Sequence, residues 1–197
     1  MKYSKSLVSV ITPMYNASSV IERCILSVQS QSYKFIEHII IDDCSTDDCY
    51  KIALDLSKKY KKITVLRNKN NSGPAKSRNH GLVYSKARYI AFLDSDDFWH
   101  HEKINKQLLL LKEYKAPISC TSYYHYLNDK VIRSININRK FISYNSLLYT
   151  NSIYTSSVLV DRAITGDFYM PDYYYDDFVC WLKITKDFGD CVVVNDE

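Results

Sequence analysis

Short apolar runs alternate along the chain with stretches in which apolar residues recur at helical spacing. Leu7 to Thr12 is a β-branched run ended by Pro13, which predicts a buried strand. Val20, Ile21, Cys24, Ile25 and Val28 follow at helix spacing, with Ser18 or Ser19 placed to cap that helix and Glu22 near its first turn. Phe35 to Ile41 reads as a second strand running into Asp42-Asp43. Asp47 or Asp48 starts a helix through Ile52, Ala53, Leu56 and Tyr60, and Ile63 to Leu66 is a third strand. Asn70 to Pro74 is a turn, with Pro74 at the first position of another helix. Tyr89 to Leu93 is a fourth, wholly apolar strand, broken by Asp94-Ser95-Asp96-Asp97. A leucine-rich helix from Ile104 to Leu111 and a strand from Pro117 to Ser122 follow.

Strand and helix in alternation predict parallel βαβ units. Strands apolar nearly throughout predict a sheet covered on both faces. After Tyr123 the pattern changes to short alternating pieces such as Ser156 to Val160. The expected architecture is therefore α/β: a Rossmann-like, mostly parallel sheet flanked by helices over about residues 1–115, and a mixed second half over about 116–197, together one domain. At 197 residues such a chain can bury a core without metal or disulfides.

Composition narrows the class. With 46% hydrophobic and 24% charged residues the chain is not disordered, and four Gly and four Pro exclude collagen-like or linker-like sequence. No apolar stretch approaches the roughly 18 residues of a membrane-spanning helix. The N-terminus carries a short apolar run without a small-residue cleavage site, so no signal peptide is read. Six cysteines form no CxxC pair, which excludes a zinc ribbon and a thioredoxin motif; free thiols and a cytoplasmic location are expected. A net charge of +4 is too mild to imply nucleic acid. Lys58, Lys59, Lys61 and Lys62 are either a solvated helix end or a binding patch. The tyrosine runs Tyr123-Tyr124 and Tyr173-Tyr174-Tyr175 either line a sugar groove or fill surface and core.

Ligands of open α/β sheets bind beyond the carboxyl ends of the strands. Four such ends carry polar clusters here: Thr12 to Asn16, Asp42 to Ser45, Asn71 to Gly73 followed by Arg78, and Asp94 to Asp97. A single Asp after a strand is often only a helix cap. Several carboxylates on one rim repel one another and call for a cation or a donor-rich ligand. Asp94 and Asp96 offer hard oxygens without His or Cys, a set suited to Mg²⁺ or Mn²⁺ rather than zinc.

Val8 to Asn16 (VSVITPMYN), Ile39 to Asp48 (IIIDDCSTDD), Asn71 to Leu82 (NSGPAKSRNHGL), Tyr89 to Trp99 (YIAFLDSDDFW) and Asp176 to Ile184 (DDFVCWLKI) occur in this order. Together they resemble the family 2 glycosyltransferases, inverting enzymes of the GT-A fold that use nucleotide-diphosphate sugars. The resemblance implies that Pro13 and Tyr15 form the wall for the nucleobase, and that Asp43, with Asp42 beside it, accepts from a base N–H, which favours UDP or dTDP. It places Arg78 near base and phosphates, Asp94 and Ser95 at the ribose, and Asp96 with Asp94 on the divalent metal, Mn²⁺ or Mg²⁺. It makes Asp177 the general base, with Asp176 in place of the usual Glu, and Trp181 a packing wall near the acceptor. The implied partners are a nucleotide-diphosphate sugar, UDP-sugar favoured, and a saccharide or lipid-linked acceptor, with peripheral membrane association and no nucleic acid. The family's DDGSTD reads DDCSTD here; if that position needs positive φ, Cys44 is strained. The resemblance would continue past Glu197 into a helical region, so a short or trimmed C-terminus is expected. Two other readings stand beside it: a nucleotide- or glycan-binding module without turnover, and a nucleotidyltransferase, which would want a glycine-rich loop where Thr12 to Ser18 has none.

Overall fold

A computed structural model describes residues 3–127, 130–172 and 175–195. Four βα units open the chain: β1 (Ser4–Met14) and α1 (Ile21–Gln29), β2 (Ile36–Asp42) and α2 (Cys49–Lys59), β3 (Ile63–Arg67) and α3 (Pro74–Tyr84), β4 (Ala87–Phe92) and α4 (Lys103–Tyr114). The second half holds β5 (Ile118–Thr121), the strands β6 (Tyr123–Leu127) and β7 (Lys130–Ile135), β8 (Phe141–Ile142), α5 (Tyr144–Tyr149) and a 3-10 turn (Thr155–Ser157). It continues with β9 (Leu159–Asp161), α6 (Arg162–Thr165), α7 (Asp176–Phe188) and β10 (Cys191–Val194). Tyr173 and Tyr174, members of one tyrosine run, lie outside the described residues.

One eight-stranded sheet runs in the order β3-β2-β1-β4-β9-β5-β10-β8, and β6 and β7 form a separate antiparallel pair. β3, β2, β1 and β4 are mutually parallel, as the alternation predicts. The mixed character of the second half comes from β9, which enters antiparallel between β4 and β5. Both faces of the sheet are buried. Val8, Val10 and Ile40 face a core closed by Ile25 of α1, Ala53 of α2 and Leu108 of α4. Ile11, Ile90 and Phe92 face a second core with Leu82 of α3 and Trp181 and Ile184 of α7. The two-residue alternation of a strand divides the apolar run between these faces. Among the described residues no helix is long and apolar enough to cross a membrane.

Two local expectations are corrected. Pro13 does not end the first strand; β1 continues through it to Met14, paired only with β2 at that point. Val8 N–H bonds toward β2 and the Ile11 carbonyl toward β4, so the Pro13 nitrogen faces the side on which β4 has ended. A missing N–H costs no ladder bond there. Neither Ser18 nor Ser19 caps α1: the cap position is Val20, without a side-chain bond. The Ser18 N–H is instead drawn to Asp47 Oδ2 at 2.8 Å, while Asp47 Oδ1 accepts from Cys49 N at the start of α2.

Helix α3 lies close against β1 because residue 81 is glycine. A Cβ there would stand 2.5 Å from Ile11 Cγ2. Gly81→Ala is therefore expected to lower stability by about 1–3 kcal/mol despite its better helix propensity. Urea unfolding measures the loss, and a neutral or stabilising result would contradict this packing.

Candidate active site

At the carboxyl ends of the parallel strands lies a cleft of about 340 Å³ lined by Pro13, Met14, Tyr15, Asp43, Gly73, Arg78 and Asp94 to Asp96, among others. The sequence-predicted residues Pro13, Tyr15, Asp43, Arg78, Asp94, Ser95 and Asp96 thus share one rim. Tyr15 stands half exposed there because β1 outruns β4. Asn16 follows in the left-handed region, and its side-chain oxygen accepts from Thr46 N at 2.9 Å, joining the first loop to the second.

Asp43 is buried, and its carboxylate gathers the third loop. Oδ1 accepts from Asn68 Nδ2 at 2.7 Å and from the Ser72 hydroxyl at 3.0 Å. Ser72 N donates to it at 3.0 Å, and Gly73 N to Oδ2 at 2.7 Å. Gly73, at φ +87°, turns its N–H inward immediately before α3. Burial pushes the Asp43 carboxyl up, but these donors outweigh it and hold the group below its ordinary value. Asp42 does not join the cleft. As the last residue of β2 it points the other way, is fully buried, and pairs with Arg67 Nε at 3.0 Å. Its role is to hold the second loop on the sheet, and the expected nucleotide contact at Asp42 is withdrawn. Cys44 does take a positive φ, +64°, as its place in the motif requires.

Arg78, from the buried side of α3, reaches between two acidic groups. Its Nη2 lies 2.7 Å from Asp94 Oδ1 and its Nη1 3.1 Å from Asp176 Oδ2. Burial lowers the tendency of the guanidinium to stay charged, and the carboxylates of Asp94, Asp176 and Asp177 more than restore it. For Asp176 the balance runs the other way: burial raises its carboxyl despite Arg78. Asp97 is also raised, first by burial and then by the charges of Asp94 and Asp96, against a bond from Ser156. Asp176 and Asp177 open α7, where the exposed N–H groups of a helix start favour negative charge. Asp177 Oδ1 accepts from Phe178 N at 2.7 Å, and Oδ2 accepts from the hydroxyl of Thr155. Tyr175, immediately before them, is in the left-handed region at φ +62°. Trp181 packs: it is fully buried against Phe92, ring centroids 6.1 Å apart.

Among the described residues no group of three or more His, Cys, Asp or Glu side chains forms a metal cage. Asp96 is exposed at the rim, and Asp94 keeps one oxygen away from Arg78. That donor set fits an ion that takes most of its ligands from substrate and water, as Mg²⁺ and Mn²⁺ do. Thr155, Ser156 and Asn68 bond the carboxylates of this cleft and were missed by sequence reasoning.

Residues 9–167 match the family model described as glycosyl transferase family 2. The chain belongs to that family. Among its relatives are two Escherichia coli proteins, WfaP and WfgD, each named a UDP-Glc:alpha-D-GlcNAc-diphosphoundecaprenol beta-1,3-glucosyltransferase. WfaP is 39% identical over 142 residues, covering 72% of this chain and 55% of that protein. WfgD is 34% identical over 181 residues, covering 92% and 70%. In fold the chain is similar to S. aureus TarS 1-349 in complex with UDP, with a TM-score of 0.82 at 22% identity over 97% of this chain and 58% of that one. It is also similar to the mannosyltransferase PcManGT from Pyrobaculum calidifontis in complex with GDP-Man and Mn²⁺, with a TM-score of 0.76 at 19% identity, covering 98% and 56%. These structures establish the GT-A fold of this glycosyltransferase-family chain, which spans about half the length of several relatives it matches.

The Asp43 network predicts a pH dependence. Its carboxyl is held low in the folded state, so as pH falls the unfolded chain takes up the proton first. The stabilisation is present above the ordinary carboxylate range and is lost below about pH 4. Asp43→Asn is expected to cost about 1–3 kcal/mol at neutral pH and to flatten the acid side of the stability profile. Thermal unfolding from neutral to acidic pH measures both; an unchanged profile would show that the loop does not depend on this charge.

Proposed function

We propose that the chain is the donor-binding and catalytic unit of an inverting glycosyltransferase. In this reading it moves a sugar from a nucleotide diphosphate, UDP favoured, to a hydroxyl of a lipid-linked saccharide in bacterial surface polysaccharide synthesis. The observation that carries the reading is the bridge at Arg78. It joins the cleft that holds Tyr15, Asp43 and Asp96 to a helix start bearing Asp176 and Asp177. The names of WfaP and WfgD support the donor and the diphosphate-lipid acceptor, and with a lipid-linked acceptor the reaction would run at the membrane surface.

Pro13 and Tyr15 offer an apolar and aromatic wall to the base. Asp43 already accepts four loop donors, so it meets the base imide only by sharing an oxygen with them. Asp94 and Ser95 lie toward the ribose. When bound, Mn²⁺ or Mg²⁺ supplies positive charge to the departing diphosphate; Asp96, with the open oxygen of Asp94, would hold it. An acceptor hydroxyl is far too weak an acid to ionise alone, so a base within hydrogen-bond reach must take its proton. Asp177 fills that role. The hydroxyl oxygen forms the new bond to the anomeric carbon, the bond to the diphosphate oxygen breaks, and the proton stays on the Asp177 carboxyl. One displacement inverts the anomeric centre and yields a β-linkage from an α-linked donor.

Two measurements test this. UDP with Mn²⁺ is expected to raise the melting temperature by mass action, and more than GDP, CMP or ADP. Asp177→Asn should keep that shift and lose about 10²–10⁴-fold in transfer. A shift in the wild type without any transfer would favour a binding module, and a shift with GDP alone would overturn the choice of uracil.

A further inference from the structure

The two acidic groups of the site arrive by unrelated routes. Asp94 to Asp97 follow β4, in the middle of the sheet. Asp177 opens α7 after residues 166–172, which form no helix or strand. Docking of α7 through Trp181 and Ile184 and the Arg78 bridge set where the backbone of Asp177 lies, while the direction of its carboxylate depends on what its oxygens bond. One turn touches both groups. In the antiparallel β4–β9 ladder, Ala91 pairs with Leu159. Just past the end of β4, and just before β9 begins, the chain brings Asp94 against Ser156 of the Thr155–Ser157 turn. The Asp94 N–H donates to Ser156 Oγ at 3.0 Å, and that hydroxyl donates to Asp97 Oδ2 at 2.5 Å. Trp99 Nε1–H locks the same residue through its carbonyl, at 2.7 Å. The neighbouring Thr155 hydroxyl donates to Asp177 Oδ2.

Thr155 and Ser156 are 3% and 6% exposed, so neither is available to substrate. Their hydroxyls are spent on carboxylates. Asp177 receives one bond on each oxygen, from Phe178 N and from Thr155. This fixes the plane of the carboxylate and leaves each oxygen a lone pair for an incoming hydroxyl.

We propose that Thr155 and Ser156 are the positioning residues of this centre. Thr155 aims the Asp177 carboxylate at the acceptor, and Ser156 indexes that aim to the Asp94–Asp97 loop. Base and donor-side carboxylates are thus set from one turn of the sheet. The proposal rests on the reading of Asp177 as general base. During transfer the acceptor proton goes to Asp177, and the Thr155 proton remains on its own oxygen.

The test uses the full chain. Without substrate, a double-mutant cycle on urea unfolding with Thr155→Val and Asp177→Ala is expected to be non-additive, and additivity would overturn the contact. With UDP-glucose and a GlcNAc-α-diphosphoryl lipid, Thr155→Val is expected to lower kcat by about 10- to 100-fold. The KM for UDP-glucose should stay within about twofold, and Thr155→Ser, which keeps the hydroxyl, should restore most of kcat. A purely structural residue would disturb donor binding as well. Wild-type kcat in Thr155→Val, or a Thr155→Ser variant as slow as the valine, would overturn positioning. Transfer that survives Asp177→Asn would instead overturn the base assignment, a result distinct from loss at Asp177 with none at Thr155.

Discussion

Arg78 carries the electrostatics of this site. Asp94, Asp96, Asp97, Asp176 and Asp177 converge at one end of the sheet, and a single buried guanidinium stands between the first group and the second. A planar fork can bond two carboxylates at once, which a lysine ammonium on a flexible stem does less well. Without that charge, burial and mutual repulsion would drive protons onto the carboxyls or open the site. Burial still raises the carboxyls of Asp97 and Asp176, in Asp176 despite Arg78. The negative charge left at the rim, on Asp96 and the outer oxygen of Asp94, suits a divalent ion, as the proposed function requires.

The sheet supplies the geometry that this charge balance requires. Parallel β3, β2, β1 and β4 bring four loops to one edge, and β1 runs on past β4 so that Tyr15 projects over the opening. Asp43 then ties the third loop down with backbone and side-chain donors, and Gly73 supplies one of them only because its backbone can turn left-handed. Antiparallel β9 does the complementary work: it carries the Thr155–Ser157 turn to the end of β4. This end of the candidate site is thereby built on the most central strand pair, where local opening costs most.

Much of this was legible in the order of residues. Apolar runs of strand length separated by helical spacing determined the parallel half, because covered strands need apolar residues on both faces. Polar clusters after each strand determined which loops carry chemistry, because the strand ends of an α/β sheet all open on one side. The motif order from Val8 to Ile184 pointed to the family. Side-chain direction was not legible. Asp42 and Asp43 are neighbours in sequence, yet the first is buried against Arg67 and the second lines the cleft, since successive residues leave a strand on opposite sides. Trp181 sits at a motif position, but the turn of α7 points it into the core. The Arg78 bridge joins residues 98 positions apart, and the tie from Thr155 to Asp177 crosses from the central sheet to a separate helix. Sequence alone determined the α/β class, the functional edge and most residues on it, because those follow from periodicity and local chemistry. Tertiary structure decided which carboxylate meets which partner, because that depends on the register of β9 against β4 and on where α7 docks, and both are set by packing between distant segments.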